Sequence, residues 1–113
     1  MVAKVPSKQL GNIWRNFSVS VPAGNTVVVD TLPMADFISL NYIVNYVGNN
    51  KVKKFNQDVV NNDGALGDTI YGIIGELLNV NISANVNSTD MELEVTNNEL
   101  FDIDVDFTRL VHD

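Results

Sequence analysis

The sequence predicts an all-β chain: one small antiparallel β-sandwich, jelly-roll-like, of about eight strands, with a short extended N-terminal arm. Three observations carry this. Met91-Glu92-Leu93-Glu94-Val95 and Phe101-Asp102-Ile103-Asp104-Val105-Asp106-Phe107 alternate strictly between apolar and acidic residues, the period of a strand with one buried and one wet face. Clusters of Gly, Asn, Asp and Pro punctuate the chain at intervals of about 8–15 residues. The one stretch with helical spacing contains two glycines and continues without a cap into a clean alternation.

Residues 1–13, with Pro6 and Gly11 and no periodicity, read as the arm, and 14–113 as the sandwich. The arm is polar without an apolar centre, so no cleaved leader is expected. Asn16 to Val21 alternates, placing Phe17, Val19 and Val21 on one face. Pro22-Ala23-Gly24-Asn25 turns the chain into a valine-rich strand, Thr26 to Leu32, which Pro33 ends. In the following strand Ile38, Leu40, Tyr42, Val44 and Tyr46 share one face. Gly48-Asn49-Asn50 leads into Lys51 to Val60, and Asn61-Asn62-Asp63-Gly64 suits a hairpin with positive φ. Between Asp68 and Leu78 the residues Ile70, Ile73, Ile74, Leu77 and Leu78 fall at helical spacing. Gly72 and Gly75 each cost a helix about 1 kcal/mol, and the stretch runs on into the alternating Val80, Ile82, Ala84 and Val86. A strand is expected there.

Parity constrains the last two strands. Met91, Leu93, Val95, Phe101, Ile103 and Val105 are all odd-numbered, so a hairpin between them must pair positions that sum to an even number. Pairing Val95 with Phe101 and Leu93 with Ile103 satisfies this and sets Glu94 opposite Asp102 and Glu92 opposite Asp104. Directly opposed like charges weaken a sheet by roughly 0.2–1 kcal/mol per pair, so this acidic face is expected to meet cations or a basic partner, or simply water.

Composition excludes several function classes. The 113 residues make about one domain. With a net charge of −7, nucleic-acid binding is not expected. No run approaches the roughly 18 apolar residues of a membrane span. With no cysteine and a single histidine, His112, the usual zinc sites are excluded; His112, one residue from the end, reads as part of a frayed tail rather than a catalytic base. Lys51, Lys53 and Lys54 form the only basic cluster and read as guards of a strand edge. The three Asn-x-Ser/Thr triplets, at Asn16, Asn81 and Asn87, are close to what chance supplies in a chain with 16 asparagines and do not argue for glycosylation.

No phosphate loop or nucleophile elbow occurs. Asp102-x-Asp104-x-Asp106 is not an EF-hand loop: Phe107 stands where that loop needs glycine, and alternate residues of a strand lie about 6.6 Å apart. Paired carboxylates also suit glycoside hydrolysis, but a flat acidic face offers no cleft, so no enzyme is expected. Tyr42 and Tyr46 share the core-facing parity of Leu40 and Val44. Tyr71 and Trp14 remain as candidate contacts, Trp14 the better because it adjoins the arm. The candidate interface is therefore Trp14, Glu92, Glu94, Asp102, Asp104 and Asp106, with no catalytic, cofactor or metal residues.

The order of segments resembles a known family. Val29-Asp30-Thr31-Leu32-Pro33-Met34-Ala35-Asp36, the Tyr42-Ile43-Val44 strand, Lys53-Lys54-Phe55 leading to Asn62-Asp63-Gly64, Ile70-Tyr71-Gly72-Ile73-Ile74-Gly75 and Met91 to Asn98 are similar to small β-sandwich domains in structural proteins of tailed bacteriophages. The match covers residues 27–110. The resemblance implies repeated copies on a symmetric particle and offers no catalytic motif to carry over. A stand-alone domain with a short arm suits a capsid decoration or auxiliary subunit of the virion better than a long fibre. A neck or tail-associated adaptor is the alternative, and a carbohydrate-recognising tail or surface module the alternative of a different class. Expected partners are other virion structural proteins and further copies of the chain, a trimer being favoured, with no nucleic acid, membrane or cofactor.

Overall fold

The computed structural model describes residues 14–76 and 78–112; the expected arm, residues 1–13, lies outside them. Eight strands follow in order: β1 (Trp14–Val21), β2 (Thr26–Pro33), β3 (Ser39–Gly48), β4 (Lys51–Asn62), β5 (Ala65–Gly75), β6 (Val80–Asn87), β7 (Asp90–Asn97) and β8 (Ile103–His112). A 3-10 turn, Met34–Asp36, lies between β2 and β3. The strands form two antiparallel sheets, one of five ordered β1-β8-β3-β4-β5 and one of three ordered β2-β7-β6. The all-β sandwich and the strand assigned to the ambiguous segment are both as the sequence predicts.

Tight turns explain why the sheets hold five and three strands rather than the four and four of an even partition. Gly48 pairs with Lys51 and Asn62 with Ala65. The intervening residues all lie in the left-handed region: Asn49 at φ 50°, Asn50 at 63°, Asp63 at 53° and Gly64 at 95°. Two-residue loops of that kind match the twist of paired strands, so β3, β4 and β5 must be consecutive neighbours in one sheet. Ser88-Thr89 likewise joins β6 to β7 within the smaller sheet, Asn87 pairing with Asp90, and the other connections, 22–25, 34–38, 76–79 and 98–102, cross between sheets.

The core lies between the sheets, where inward parity places Tyr42, Tyr46, Phe55, Leu93, Ile103 and Phe107. Aromatic packing knits it: the Phe17 and Phe107 rings stack at 4.8 Å, and Tyr46 meets Phe55 edge-on at 5.2 Å. One interruption matters. The register between β2 and β7 shifts at Val29, so Val29 and Asp30 are buried side by side. That bulge turns Asp30 inward, where strict alternation from Val27 would have left it in water.

The structure corrects three expectations. β7 and β8 are not a hairpin: β7 pairs with β2 and β6, while β8 pairs with β1 and β3. The matching parity is met instead face to face across the core. Asn97 fixes the crossing, donating from Nδ2 to the carbonyls of Val21 and Phe101 while its Oδ1 accepts the Glu99 amide. The lysine cluster is not on an edge, because β4 lies between β3 and β5. His112 is not frayed: it closes the last rung of β8, opposite Ser39, and its carbonyl accepts the Ile38 amide at 2.7 Å.

Candidate functional site

The acidic residues singled out by sequence divide between opposite outer faces. Glu92 and Glu94 project from the three-stranded sheet, Asp104 and Asp106 from the five-stranded one. The expected Glu94–Asp102 and Glu92–Asp104 rungs do not form. Separation has a plain electrostatic merit, since one shared face would have held these carboxylates at cross-strand spacing.

Neutral donors answer most of them. Asn85 Nδ2 donates to Glu94 at 2.9 Å and Asn87 Nδ2 to Glu92 at 3.1 Å. Ser18 Oγ donates to Asp106 at 2.6 Å, and the Ala23 amide donates to Asp102 at 2.9 Å. Asp104, flanked by Ser20 and Val47, is exposed and has no hydrogen-bond partner among the described residues. No three His, Cys, Asp or Glu side chains gather into a metal-binding group among the described residues. Trp14 opens β1, opposite Leu110; its side chain lies outside what the structure describes.

The strongest electrostatic feature is one the sequence reading missed. Arg109 Nη1 reaches both carboxylate oxygens of Asp30, at 2.9 and 3.0 Å, and Tyr42 Oη donates to the same carboxylate at 2.7 Å. All three side chains are buried. The guanidinium also lies 5.1 Å over the Phe17 ring, within cation–π range. Burial first, then the Asp30 charge and hydrogen bond, push the Tyr42 phenol far above its ordinary range, with Arg109 pulling the other way. The cluster is enclosed and paired, so its chemistry is structural. Two parity signals pointed to it: Arg109 shares the inward parity of Ile103, Val105 and Phe107, and Leu32 breaks the parity of Val27 and Val29.

Two surface features involve the outer face and free edge of the larger sheet. On the outer face of the larger sheet, Asn41 Nδ2 donates to Asp58 at 2.6 Å, and Tyr71 Oη donates to the same Asp58 oxygen at 3.3 Å. These line a groove of about 360 Å³ with Ser39, Leu110 and His112. The second lies along β5, whose inner side overhangs the narrower sheet. Ile70 and Ile73 line a 160 Å³ groove with Tyr46, Phe55, Val80 and Ile82. Tyr46 is buried there, its hydroxyl has no hydrogen-bond partner among the described residues, and burial pushes its phenol well above the ordinary range.

No family model and no curated protein matches the chain. Among solved structures, the fold is similar to part of the tailspike protein of Acinetobacter baumannii phage AM24, with a TM-score of 0.55 at 6% sequence identity. The likeness covers 88% of this chain and 26% of the tailspike chain: what recurs is the fold, as about a quarter of a larger phage protein.

Proposed function

We propose that the chain is a non-enzymatic structural subunit of a bacteriophage virion that binds neighbouring virion proteins, and that its place is the tail. The observation that carries the reading is the recurrence of this sandwich, over 88% of the chain, within a phage tailspike. The strand-and-turn segments that resemble phage structural domains lend independent support. Three features of the site suit a packing module. Its carboxylates are dispersed over two faces and mostly answered by Asn and Ser, its buried charges are paired, and four exposed apolar residues, Ile70, Tyr71, Ile73 and Ile74, share one edge strand.

Antibodies against the recombinant chain, applied to purified particles that encode it, should label the tail. Labelling over the head would move the assignment to capsid decoration, and unlabelled particles would overturn the virion reading. Deleting residues 2–12 should leave the sandwich folded and abolish incorporation; normal incorporation would remove the arm from the proposal. A carbohydrate-recognising module is the reading this displaces. Specific glycan-array binding lost in Trp14→Ala or Tyr71→Ala would restore it.

A further inference from the structure

The five-stranded sheet is wider than its partner, and the surplus is β5. Among the described residues four strands have a free edge: β1 and β5 in the larger sheet, β2 and β6 in the smaller. Natural proteins guard such edges with charge, proline, bulges or cover, because an unguarded edge templates pairing with another chain. β2 carries a bulge and ends in Pro33. β6 alternates Asn81, Ser83, Asn85 and Asn87 on its outer side. β1 presents Asn16 and Ser18, each hydrogen-bonded to β8. β5 shares with β2 only a bulge, at Gly72 (φ 66°), where its pairing steps from Tyr71 opposite Asn56 to Ile74 opposite Lys54; it has no proline and no outward polar row. Ile70, Tyr71, Ile73 and Ile74 are 39, 45, 56 and 64% exposed, and its one charged residue, Asp68, is held by Gln57 Nε2 at 3.0 Å.

We propose that β5 is a self-association edge, and that two copies of this chain pair their β5 strands antiparallel about a two-fold axis near Tyr71 and Gly72. The charge layout selects a second copy in that orientation. The β4–β5 ribbon is polarised: Asp58, Asp63 and Asp68 lie toward one end, Lys51, Lys53 and Lys54 toward the other, where Lys53 stands opposite Gly75 and Lys54 opposite Ile74. Glu76 offsets the basic end in part. Antiparallel pairing brings each acidic end against the basic end of its neighbour; parallel pairing sets like against like. Elsewhere a chain of net charge −7 repels its own copies, and the partner's strand would cover the apolar groove at Ile70 and Ile73. A two-fold contact uses the same surface twice and closes, giving a dimer instead of the three-fold assembly first expected. The contact belongs to the isolated chain, so it stands or falls separately from the virion reading.

Light scattering tests it first. The expected result is a two-fold rise in mass from the 12.4 kDa monomer as concentration increases into the range of about 100 µM, a weak contact as befits its small area. Ile73→Lys and Ile74→Lys, at exposed positions, should remain folded by circular dichroism and stay monomeric, while Ser18→Lys on the β1 edge should still dimerise. The absence of cysteine provides an orientation test. Residues facing each other across an antiparallel pair have Cα atoms about 4.5–5.5 Å apart, within disulfide reach. Single cysteines at Leu66, Thr69, Tyr71 and Ile73 should therefore cross-link fastest at Tyr71 and slowest at Leu66. A wild type that stays monomeric at about 1 mM overturns the proposal and gives the bulge at Gly72 the opposite role, bending the edge out of reach. A trimer mass, cross-linking equal at all four positions, or lysine variants that keep the wild-type mass would overturn it too.

Discussion

β1 and β5 are the two edges of one sheet, and they are finished in opposite ways. β1 is closed: Val21 is fully buried, Phe17 stacks on Phe107, and outward Asn16 and Ser18 are tied to β8. β5 is open: Ile70 and Ile73 overhang a groove, and Ile74 is mostly exposed. The difference arises from strand count, since three strands cannot cover five. It teaches where stability and contact should separate. Substitutions under β1 should cost the fold and leave self-association alone, while substitutions on β5 should do the reverse.

The largest effect should come from Arg109, which pairs with Arg15 of β1 and neutralises Asp30 in the core. Removing one partner of a buried ion pair costs about 3–5 kcal/mol, because the other charge is left uncompensated. Arg109→Ala should lower the urea unfolding midpoint by that equivalent. Replacing both members with apolar residues, Asp30→Leu with Arg109→Met, should cost much less than the sum of the single changes. An additive double variant would mean the pair is not the coupled unit its geometry describes.

Next come matched truncations on the two edges. Phe17→Ala removes a half-buried ring stacked in the core, and should cost about 2 kcal/mol, less than the 3–5 of a fully buried phenylalanine. Ile73→Ala should change stability by under about 0.5 kcal/mol, as exposed substitutions do. Equal losses in denaturant titrations of the monomer would erase the distinction between a closed and an open edge.

How much of this was legible in the sequence follows the same line. Strands declare themselves through alternation, and the Asn-Asn and Asp-Gly turns declare β3, β4 and β5 as neighbours, because these are local signals. Which strands share a sheet is not local. The parity of Met91–Val95 and Phe101–Val105 is met equally by a hairpin and by two strands facing each other across a core, so parity alone could not choose between them. The chain's own acidity favours the second, and Asn97, buried and bonded to two carbonyls, enforces it. The Asp30–Arg109 pair was hidden for a different reason: a bulge changes parity in mid-strand, and only the mismatch between Val29 and Leu32 records it. The candidate surface shifted accordingly, from carboxylates distributed over two faces to the apolar strand whose helical spacing had made it the one ambiguous segment.

Tyr46 sharpens the open side at smaller scale. Its hydroxyl is buried without a protein partner among the described residues, so Tyr46→Phe should be neutral or stabilise the monomer by about 1 kcal/mol at neutral pH. Its pH dependence has a definite sign. Folding raises the phenol's pKa above its unfolded value of about 10. Below that value both states are protonated and stability is flat in pH. Above it the unfolded chain ionises while the folded chain keeps its proton, so stability falls by about 1.4 kcal/mol per pH unit for each such tyrosine. Tyr42 behaves alike, its phenol also raised. Tyr46→Phe should therefore halve the alkaline slope, and an unchanged slope would mean that the phenol is not enclosed.

The smallest effect is expected at Asp104, one strand in from β1. It stands opposite Ser20 and Val47 with no hydrogen-bond donor among the described residues, on a chain of net charge −7. Asp104→Asn removes one unit of self-repulsion and nothing else, so the isolated chain should gain no more than about 0.5 kcal/mol. Salt should shrink even that, because exposed charges are screened beyond about 10 Å at 0.1 M. Asp106→Asn is the internal control: Ser18 Oγ can still donate to the amide oxygen, so only the charge changes. A clear loss of stability at Asp104 but not at Asp106, abolished by salt, would place a cation against that face and make the closed edge a charged contact rather than a finished one.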